Sequence, residues 1–250
     1  MTESLTIARR FRGPLTSANG GYASGLLAQA VDAGTVEVTL RLPPPLERPL
    51  VLAEDDGRTL LLDGEALVAE ARPAELDLVP PLAPALEEAQ EAARAESAGW
   101  GSPGFAECFV CGTRPEGDGL EIHARLVEGR EDGLVATTWV AHGVRPEIVW
   151  AAIDCPGAYA VQHGARGEPV LARMTGRIER LPEEGERCVV AGWPIERDGR
   201  KLHAGTALYA EDGEVLALSR QLWIEPRESQ APETTGVRGV SATSRPPSSS

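Results

Sequence analysis

Apolar residues recur with helical spacing in one segment of each half of the chain. The first segment is SANGGYASGLLAQAVDAG, where Leu26, Leu27 and Val31 form one stripe and Gly34 ends the pattern. The second is PEIVWAAIDCPGAYAVQHG, which opens with Pro146 at a position typical of a first helical turn. The spacing therefore predicts one helix in each half.

Alternating apolar and polar runs surround these predicted helices. VEVTLRL and PLVLAEDDGRTLLLDGEALVAEARPAEL follow the first helix, LEIHARL and GLVATTWVAH precede the second, and four runs follow it up to residue 226. Four Asp-Gly pairs typical of hairpin turns separate the strands: Asp56-Gly57, Asp63-Gly64, Asp198-Gly199 and Asp212-Gly213. Each half is predicted to be a helix with a meander of antiparallel strands. Since neither half buries both of its faces alone, the two are expected to pair side by side.

Two segments fall outside these halves. Residues 80–103 are rich in Ala, Glu, Gln and Arg between Pro and Gly residues, which predicts a linker with one surface helix. Residues 228–250 are rich in Ser, Thr and Pro with almost no large apolar residues, which predicts a disordered tail. The expected organisation is an N-terminal unit over 1–79, a linker over 80–104, a C-terminal unit over 105–227 and the tail.

Composition narrows the functional class. The 250 residues are 42% apolar and carry a net charge of −14, so the chain can bury a sizeable core but is a poor partner for nucleic acid. It contains no apolar run of membrane-spanning length and no secretory signal pattern, so a cytoplasmic location is expected. A single lysine, Lys201, and a single asparagine, Asn19, suggest the codon bias of a GC-rich bacterial genome.

The order and spacing of five motifs resemble those of double-hotdog acyl-CoA thioesterases. They are FRG at 11–13, NGGY at 19–22, CFVCGTRPEGDGLEI from residue 108, VWAAIDCPGAYA around residue 154 and GRKLHAGTALYAEDGEVLALSRQLWI near the end. The resemblance spans about residues 5–226. It implies an α+β tandem (double) hotdog in which antiparallel strands of a continuous curved sheet wrap two long helices. It also implies an acyl-CoA substrate and a homo-oligomer. No cofactor and no membrane partner are expected.

Asp154 is the predicted catalytic base. It lies in the apolar segment IVWAAIDCPG, where a buried carboxylate is costly and its pKa rises through desolvation. The resemblance implies that it matches the helix carboxylate with which hotdog thioesterases activate water or attack the carbonyl. The alternative is that Asp154 faces solvent or caps the turn that Pro156 forces.

Gln221 is the predicted partner of Asp154. The resemblance matches it to a glutamine that type II thioesterases hold on their last strand beside the aspartate. Those enzymes also use a threonine on an earlier strand, but that position corresponds here to Ala172, and Thr175 lies three residues further on. Thr175 is assigned to substrate binding. The alternative for Gln221 is an ordinary polar residue on an exposed strand face.

Asn19, Gly20 and Gly21 open the first predicted helix. The first amides of a helix lack intrahelical acceptors, and glycines allow a ligand oxygen to approach them. The resemblance implies that the amides of Gly21 and Tyr22 stabilise the oxyanion, with Asn19 in the catalytic set and Gly20 binding substrate. Simple N-capping by Asn19 is the alternative, and both roles are compatible.

The two halves are unequal in their chemistry. The first helix carries Ala28 and Gln29 about where the second carries Asp154. One carboxylate in two helices predicts at most one competent site per chain. We expect that site between the helices, with amides from one half and Asp154 from the other.

Aromatic and basic residues are the predicted substrate contacts. Four aromatic residues are candidates for an acyl tunnel, although such residues more often fill a core: Trp150, Tyr159, Trp193 and Trp223. Coenzyme A phosphates require local positive charge on so acidic a chain. Four arginines flank the second helix and are candidates for that patch, or else ordinary surface charges: Arg145, Arg166, Arg173 and Arg177.

Other reaction centres are disfavoured. Cys108, Cys111 and His123 supply only three ligands where structural zinc takes four, so no metal site is predicted. Cys155 has no nearby histidine and is interpreted as a small buried helix residue. The sequence lacks a Gly-x-Ser-x-Gly elbow. Two alternatives to a hydrolase remain: a non-catalytic acyl-CoA-binding hotdog module, and a dehydratase using His142, which precedes the second helix.

Overall fold

A computed structural model describes residues 4–94, 103–162, 165 and 167–226 of the chain. Its strands are β1 (Ser4–Thr6), β2 (Thr35–Leu40), β3 (Pro49–Asp55), β4 (Arg58–Asp63), β5 (Ala66–Pro73), β6 (Arg125–Leu126), β7 (Val135–Val140), β8 (Val170–Ile178), β9 (Arg187–Asp198), β10 (Lys201–Ala210) and β11 (Val215–Ile224). Its α-helices are α1 (Gly20–Ala28), α2 (Leu86–Arg94), α3 (Pro146–Ala152) and α4 (Cys155–Val161).

The described strands form one antiparallel sheet that runs through both halves of the chain. The strand order is β1-β3-β4-β5-β2-β8-β11-β10-β9-β7-β6. Counted from its own edge, the first half reads β1-β3-β4-β5-β2, and the second half, inside β6, reads β7-β9-β10-β11-β8. Both halves therefore have the same order of one strand, a helical segment and four strands. They join where β2 pairs with β8, with Val38 opposite Met174.

The turn signals of the sequence are confirmed. All four Asp-Gly pairs join neighbouring antiparallel strands, and at the first of them Asp56 and Gly57 both have positive φ angles, of 49° and 71°. The strand predicted over LEIHARL is wrong except for β6. Its amides at Leu120 and Ile122 donate instead to the carbonyls of Phe109 and Val110, so this segment pairs with the loop around residue 109.

The helix predicted for the second half is broken in the middle. Ile153 and Asp154 separate α3 from α4, because Pro156 has no N–H to continue the hydrogen-bond ladder. The amide of Gly157 bonds to the carbonyl of Asp154 at 3.1 Å. The carbonyl of Ile153 accepts a 2.7 Å hydrogen bond from Gln221 Nε2 on β11. The break thus turns the backbone at residue 154.

Helices α1 and α3 pack against each other at very short range through glycines of α1. A Cβ atom added at Gly25 would lie 2.6 Å from the Cα of Glu147 and 2.7 Å from the Cβ of Trp150. A Cβ added at Gly21 would lie 2.4 Å from the Cβ of Asp154. Only residues without a side chain permit this approach, and it brings the start of α1 beside residue 154.

Helix α2 lies within the stretch predicted to be a linker, and it covers the sheet face opposite the other helices. Leu86, Ala89 and Ala92 share one side of α2 and are buried with Trp193 and Tyr209 in a second apolar cluster. The linker beyond Arg94 and the predicted tail over 228–250 lie outside the described residues. None of the described helices is long and apolar enough to cross a bilayer.

The close contact between α1 and α3 predicts that alanine destabilises the protein at Gly25 but not at Gly34. Gly25→Ala should lower the free energy of unfolding by about 1–3 kcal/mol, because its methyl group would overpack the helix interface. Gly34→Ala is the matched control, since an added Cβ there meets nothing within 4 Å. Urea denaturation of both variants measures the difference. Equal midpoints for the two variants would contradict the packing described.

Candidate active site

A cavity of about 630 Å³ opens between the start of α1, the loop around residue 108 and the start of α4. Its wall contains residues from the segments 13–20, 40–44, 105–113, 154–162 and 168–172, together with Trp223 and Ile224. Both halves of the chain therefore contribute to it. The half-buried side chains of Glu168 and Gln162 lie in an otherwise largely apolar wall.

Asp154 lies in the cavity wall and is only 2% exposed. Its Oδ2 accepts hydrogen bonds from Asn19 Nδ2 at 2.8 Å and from the amide of Gly21 at 3.0 Å. Its Oδ1 is buried and has no hydrogen-bond partner among the described residues. The side chain does not cap α4. The structure therefore excludes the solvent-facing and capping alternatives for Asp154.

The environment of Asp154 raises the pKa of its carboxyl group. Burial raises the pKa of this carboxyl to about 7, an effect opposed by the hydrogen bonds from Gly21 and Asn19 and reinforced by nearby Cys108. A group with this pKa is present in both protonation states near neutral pH. Asp154 can therefore accept and return a proton, and its unpaired Oδ1 is the atom free to do so.

The first amides of α1 have hydrogen-bond partners that differ from those predicted. The amide of Gly21 is occupied by Asp154, and the amide of Tyr22 donates to Asn19 Oδ1 at 2.8 Å, so Asn19 is the helix N-cap. The amide of Gly20 is the first of the helix and has no intrahelical acceptor. Gly20 and Asn19 line the cavity, whereas Gly21 and Tyr22 do not. Gly20 and Asn19 are the donors best placed to meet a ligand.

Gln221 is buried behind Asp154 and does not line the cavity. Its Nε2 donates to the carbonyl of Ile153 at 2.7 Å, and its Oε1 accepts from Trp223 Nε1 at 2.8 Å. The alternative of an exposed polar residue is therefore wrong. Gln221 holds the backbone one residue before Asp154, which makes it a positioning residue in this geometry.

Alternation along β8 separates the residues predicted there. Ala172 faces the cavity, so the position matched to a threonine presents no hydroxyl group. Thr175 lies on the opposite face, where its Oγ1 is 3.4 Å from Glu37 Oε2. Arg173 and Arg177 share that face and have partners there. The structure does not bring these three predicted substrate contacts to the cavity.

The aromatic candidates divide into two pairs. Tyr159 and Trp223 line the cavity. Trp150 packs against Gly176 and against Gly25 of α1. Trp193 packs against Gly205 in the apolar cluster under α2. Trp150 is therefore a core residue, away from the cavity wall.

Arg41 is a charged cavity residue that the sequence analysis missed. It follows β2 directly, lines the cavity, and donates from Nε to Glu70 at 2.9 Å. Of the candidate phosphate-binding arginines, Arg145 pairs with Glu147 at 2.6 Å and Arg166 lies outside the described residues. The sequence signal that could have found Arg41 is its position between a predicted strand and the break at Pro43, since the loops that follow strands commonly carry binding residues.

The histidines and cysteines also depart from expectation. His142 is 68% exposed and lies 3.3 Å from Glu184, and no described histidine lines the cavity. Cys155 is a buried residue of helix α4, as the sequence analysis interpreted it, and its sulfur lies 3.9 Å from that of Cys108. Cys111 joins them, and all three line the cavity. Long-range contacts of this kind leave no local sequence signal.

The opposite ends of the helix pair carry different chemistry. At the end of α1, Gln29 Nε2 donates to Glu147 Oε2 at 3.0 Å, and Glu147 is also paired with Arg145. Asp154 has no such cationic partner within the part of the chain that the structure describes. Neither Gln29 nor Glu147 lines the cavity, so of the two helix-pair carboxylates, Glu147 and Asp154, it is Asp154 that lies in the cavity wall.

Comparison with known proteins identifies the fold. No protein-family model matches the sequence, and no curated protein matches it. Among solved structures, the tesB protein of Mycobacterium avium subsp. paratuberculosis is 13% identical with a TM-score of 0.55, over 84% of this chain and 88% of that chain. A protein with a hot dog fold from Alicyclobacillus acidocaldarius is 11% identical with a TM-score of 0.59, over 90% and 93%.

A third similar structure is the dehydratase domain of a mycocerosic acid synthase-like polyketide synthase. It is 16% identical with a TM-score of 0.62, over 90% of each chain. The chain has a hotdog fold. The resemblance to hotdog thioesterases is confirmed at the level of this fold, and the hotdog neighbours include a dehydratase domain as well as a tesB protein.

The contacts of Gln221 predict a structural cost for its removal. Gln221→Ala should lower the free energy of unfolding by about 1–3 kcal/mol, because the Ile153 carbonyl and Trp223 Nε1 lose their buried partner. Arg220→Ala, at the neighbouring exposed position, should change it by less than about 0.5 kcal/mol. Urea denaturation measures both, and a stable Gln221→Ala variant would refute the positioning role.

Proposed function

We propose that the chain is an acyl-CoA thioester hydrolase with a tandem hotdog fold, with units at 1–79 and 105–227. The observation that carries the proposal is the buried Asp154 carboxylate in the wall of a largely apolar cavity, with one oxygen unpaired. Thioester hydrolysis requires a base, donors for the oxyanion and a dry acyl pocket, and the cavity offers a residue for each role. The repeated strand order of the two halves supports the tandem arrangement.

Asp154 Oδ1 acts as the general base in this proposal. It takes a proton from a water molecule, and the water oxygen attacks the thioester carbonyl carbon. The C–S bond then breaks, the coenzyme A sulfur leaves as thiolate and takes up the proton, and the acyl group leaves as a carboxylic acid. Asn19 keeps the carboxylate in place through its 2.8 Å hydrogen bond.

The oxyanion donors in this proposal differ from those expected from the sequence. The single N–H groups of Gly21 and Tyr22 have acceptors already, so we assign the role to the Gly20 amide and to the second N–H of Asn19 Nδ2, whose first N–H donates to Asp154. Gly20 and Asn19 both line the cavity. The acyl chain would extend past Ala158, Leu171 and Trp223. Arg41 is the cation among the described lining residues, and we assign it to a coenzyme A phosphate.

Two alternatives compete with the hydrolase. A non-catalytic acyl-CoA-binding module is favoured by Ala172, which leaves the site without the expected threonine hydroxyl. A dehydratase using His142 is disfavoured, because that histidine is exposed beside Glu184. A cytoplasmic location and homo-oligomeric assembly stay predictions from the sequence.

Replacement of the proposed base tests the reaction directly. Asp154→Asn keeps the shape of the side chain but cannot accept a proton, so release of coenzyme A thiol should fall about 100-fold or more. The assay follows free thiol over acyl-CoA substrates with short, long and aromatic acyl groups. Asp32→Asn, at an exposed position after α1, is the matched control and should retain wild-type turnover.

The outcomes separate the three functions. Equal turnover by wild type and Asp154→Asn would contradict the site assignment. Binding of acyl-CoA without thiol release by wild type would favour the binding module. Water addition to an enoyl-CoA without thiol release would favour the dehydratase.

A bulky residue in the wall tests whether the cavity holds the acyl chain. Ala158→Phe fills space beside Asp154, so kcat/KM for long acyl chains should fall by at least about tenfold relative to short ones. The short-chain substrate serves as the internal control for an intact reaction centre. A uniform decrease across chain lengths would show that the acyl chain lies elsewhere.

A further inference from the structure

Three cysteines from two distant parts of the chain meet in the cavity wall. The sulfur atoms of Cys108, Cys111 and Cys155 all lie within 4.8 Å of one another, and those of Cys108 and Cys155 are 3.9 Å apart. Cys108 and Cys111 belong to the loop before β6, whereas Cys155 begins α4. The fold therefore brings Cys155 to the local Cys108-x-x-Cys111 pair.

The spacing of the sulfurs fits a bound metal ion. Zinc–sulfur bonds of about 2.3 Å in tetrahedral geometry place two sulfurs about 3.8 Å apart. The observed 3.9 Å between Cys108 and Cys155 agrees with this separation. A disulfide requires about 2.05 Å and uses two sulfurs, leaving the third unexplained.

The loop that carries Cys108 and Cys111 is shaped around the sulfur of Cys108. The amides of Val110 and Cys111 donate to that sulfur, the first at 3.4 Å. The amide of Gly112 donates to the Cys108 carbonyl at 2.9 Å, and a Cβ at Gly112 would lie 2.4 Å from the Cys108 nitrogen. This tight turn requires glycine, and its two amides are suited to compensating negative charge on a ligating sulfur.

Groups next to the cluster also point to a ligand there. Asn19 Nδ2 lies 3.9 Å from the sulfur of Cys108 and 4.0 Å from that of Cys155, which adds a third N–H near the sulfurs. Asp154, whose Oδ1 is buried without a partner among the described residues, immediately precedes Cys155. His123, which the sequence placed beside the Cys-x-x-Cys pair, is not part of the cluster.

We propose that Cys108, Cys111 and Cys155 form a zinc-binding site with its fourth coordination position open to the cavity. Three protein ligands and a solvent or substrate ligand constitute a common arrangement for zinc. All three cysteines line the cavity, so the fourth ligand comes from that side. The ion would tie the loop around residue 110 to the start of α4. This proposal goes beyond thioester hydrolysis and does not rest on it.

Cobalt(II) is the spectroscopic probe that tests the site. The full chain, without a polyhistidine tag and kept reduced by a phosphine, is stripped of metal and titrated with Co²⁺. We expect one Co²⁺ per chain, with thiolate-to-cobalt charge-transfer absorption and visible bands of tetrahedral cobalt, both abolished by one equivalent of Zn²⁺. Plasma emission analysis of the protein as purified should detect bound zinc.

Matched cysteine variants locate the ligands. Cys155→Ala should weaken binding by more than the roughly 10–100-fold typical of an outer-shell change. Cys188→Ala, at a buried cysteine on β9 outside the cluster, should bind like wild type. Cys111→Ala serves the same purpose at a less buried position if Cys155→Ala does not fold.

Several results would overturn the zinc site. They are the absence of charge-transfer absorption in the reduced wild type, equal binding by Cys111→Ala and Cys188→Ala, or isolation of the chain with a disulfide among the three cysteines. None of these readouts involves thioester turnover. Asp154→Asn should still bind Co²⁺, so failure of the hydrolase proposal and failure of the zinc proposal are distinguishable.

Discussion

The hydrogen bonds that join Asp154 to the start of α1 are the contact on which the rest of the site depends. A carboxyl group with almost no solvent exposure is stable only where donors compensate for its lost hydration. Here the donors are Asn19 Nδ2 and the amide of Gly21, both from the other half of the chain. The site therefore exists only when the two halves are assembled.

Several features of the fold serve this contact. Gly21 and Gly25 allow α1 to approach α3 at distances that any side chain would prevent. Pro156 interrupts the helical segment at residue 154, and Gln221 binds the carbonyl of Ile153 that the interruption leaves free. These residues act on the position of Asp154 through the backbone. Their roles are distinct from that of the carboxyl group that meets the cavity.

The order of elements could be predicted from the sequence because its signals are local. Asp-Gly turns, alternating strands and the helix-forming run at 86–94 depend on neighbouring residues, and the structure contains these elements except for most of the strand predicted over LEIHARL. The LEIHARL segment was misassigned because the loop around Phe109 supplies its hydrogen-bond partners. Local alternation does not reveal such a long-range competitor.

The candidate site was predicted only in part. The burial of Asp154 followed from its apolar neighbours, and its proximity to Asn19 followed from the resemblance. Three predicted substrate contacts were wrong because they lie on the other face of β8: Arg173, Thr175 and Arg177. The sequence did not show which side of this irregular strand faces the helices. The clustering of Cys155 with the Cys108 loop and the place of Arg41 in the cavity wall were missed, since their neighbours at the cavity come from distant segments.

A structure with a non-hydrolysable thioether or ketone analogue of an acyl-CoA tests the central claim most directly, because it locates the reacting carbonyl. The account predicts the acyl chain in the 630 Å³ cavity, the carbonyl oxygen at Gly20 and Asn19, and the carbonyl carbon facing Asp154 Oδ1 across one water molecule. An analogue bound outside the cavity, or bound within it with its carbonyl turned away from Asp154, would contradict the account.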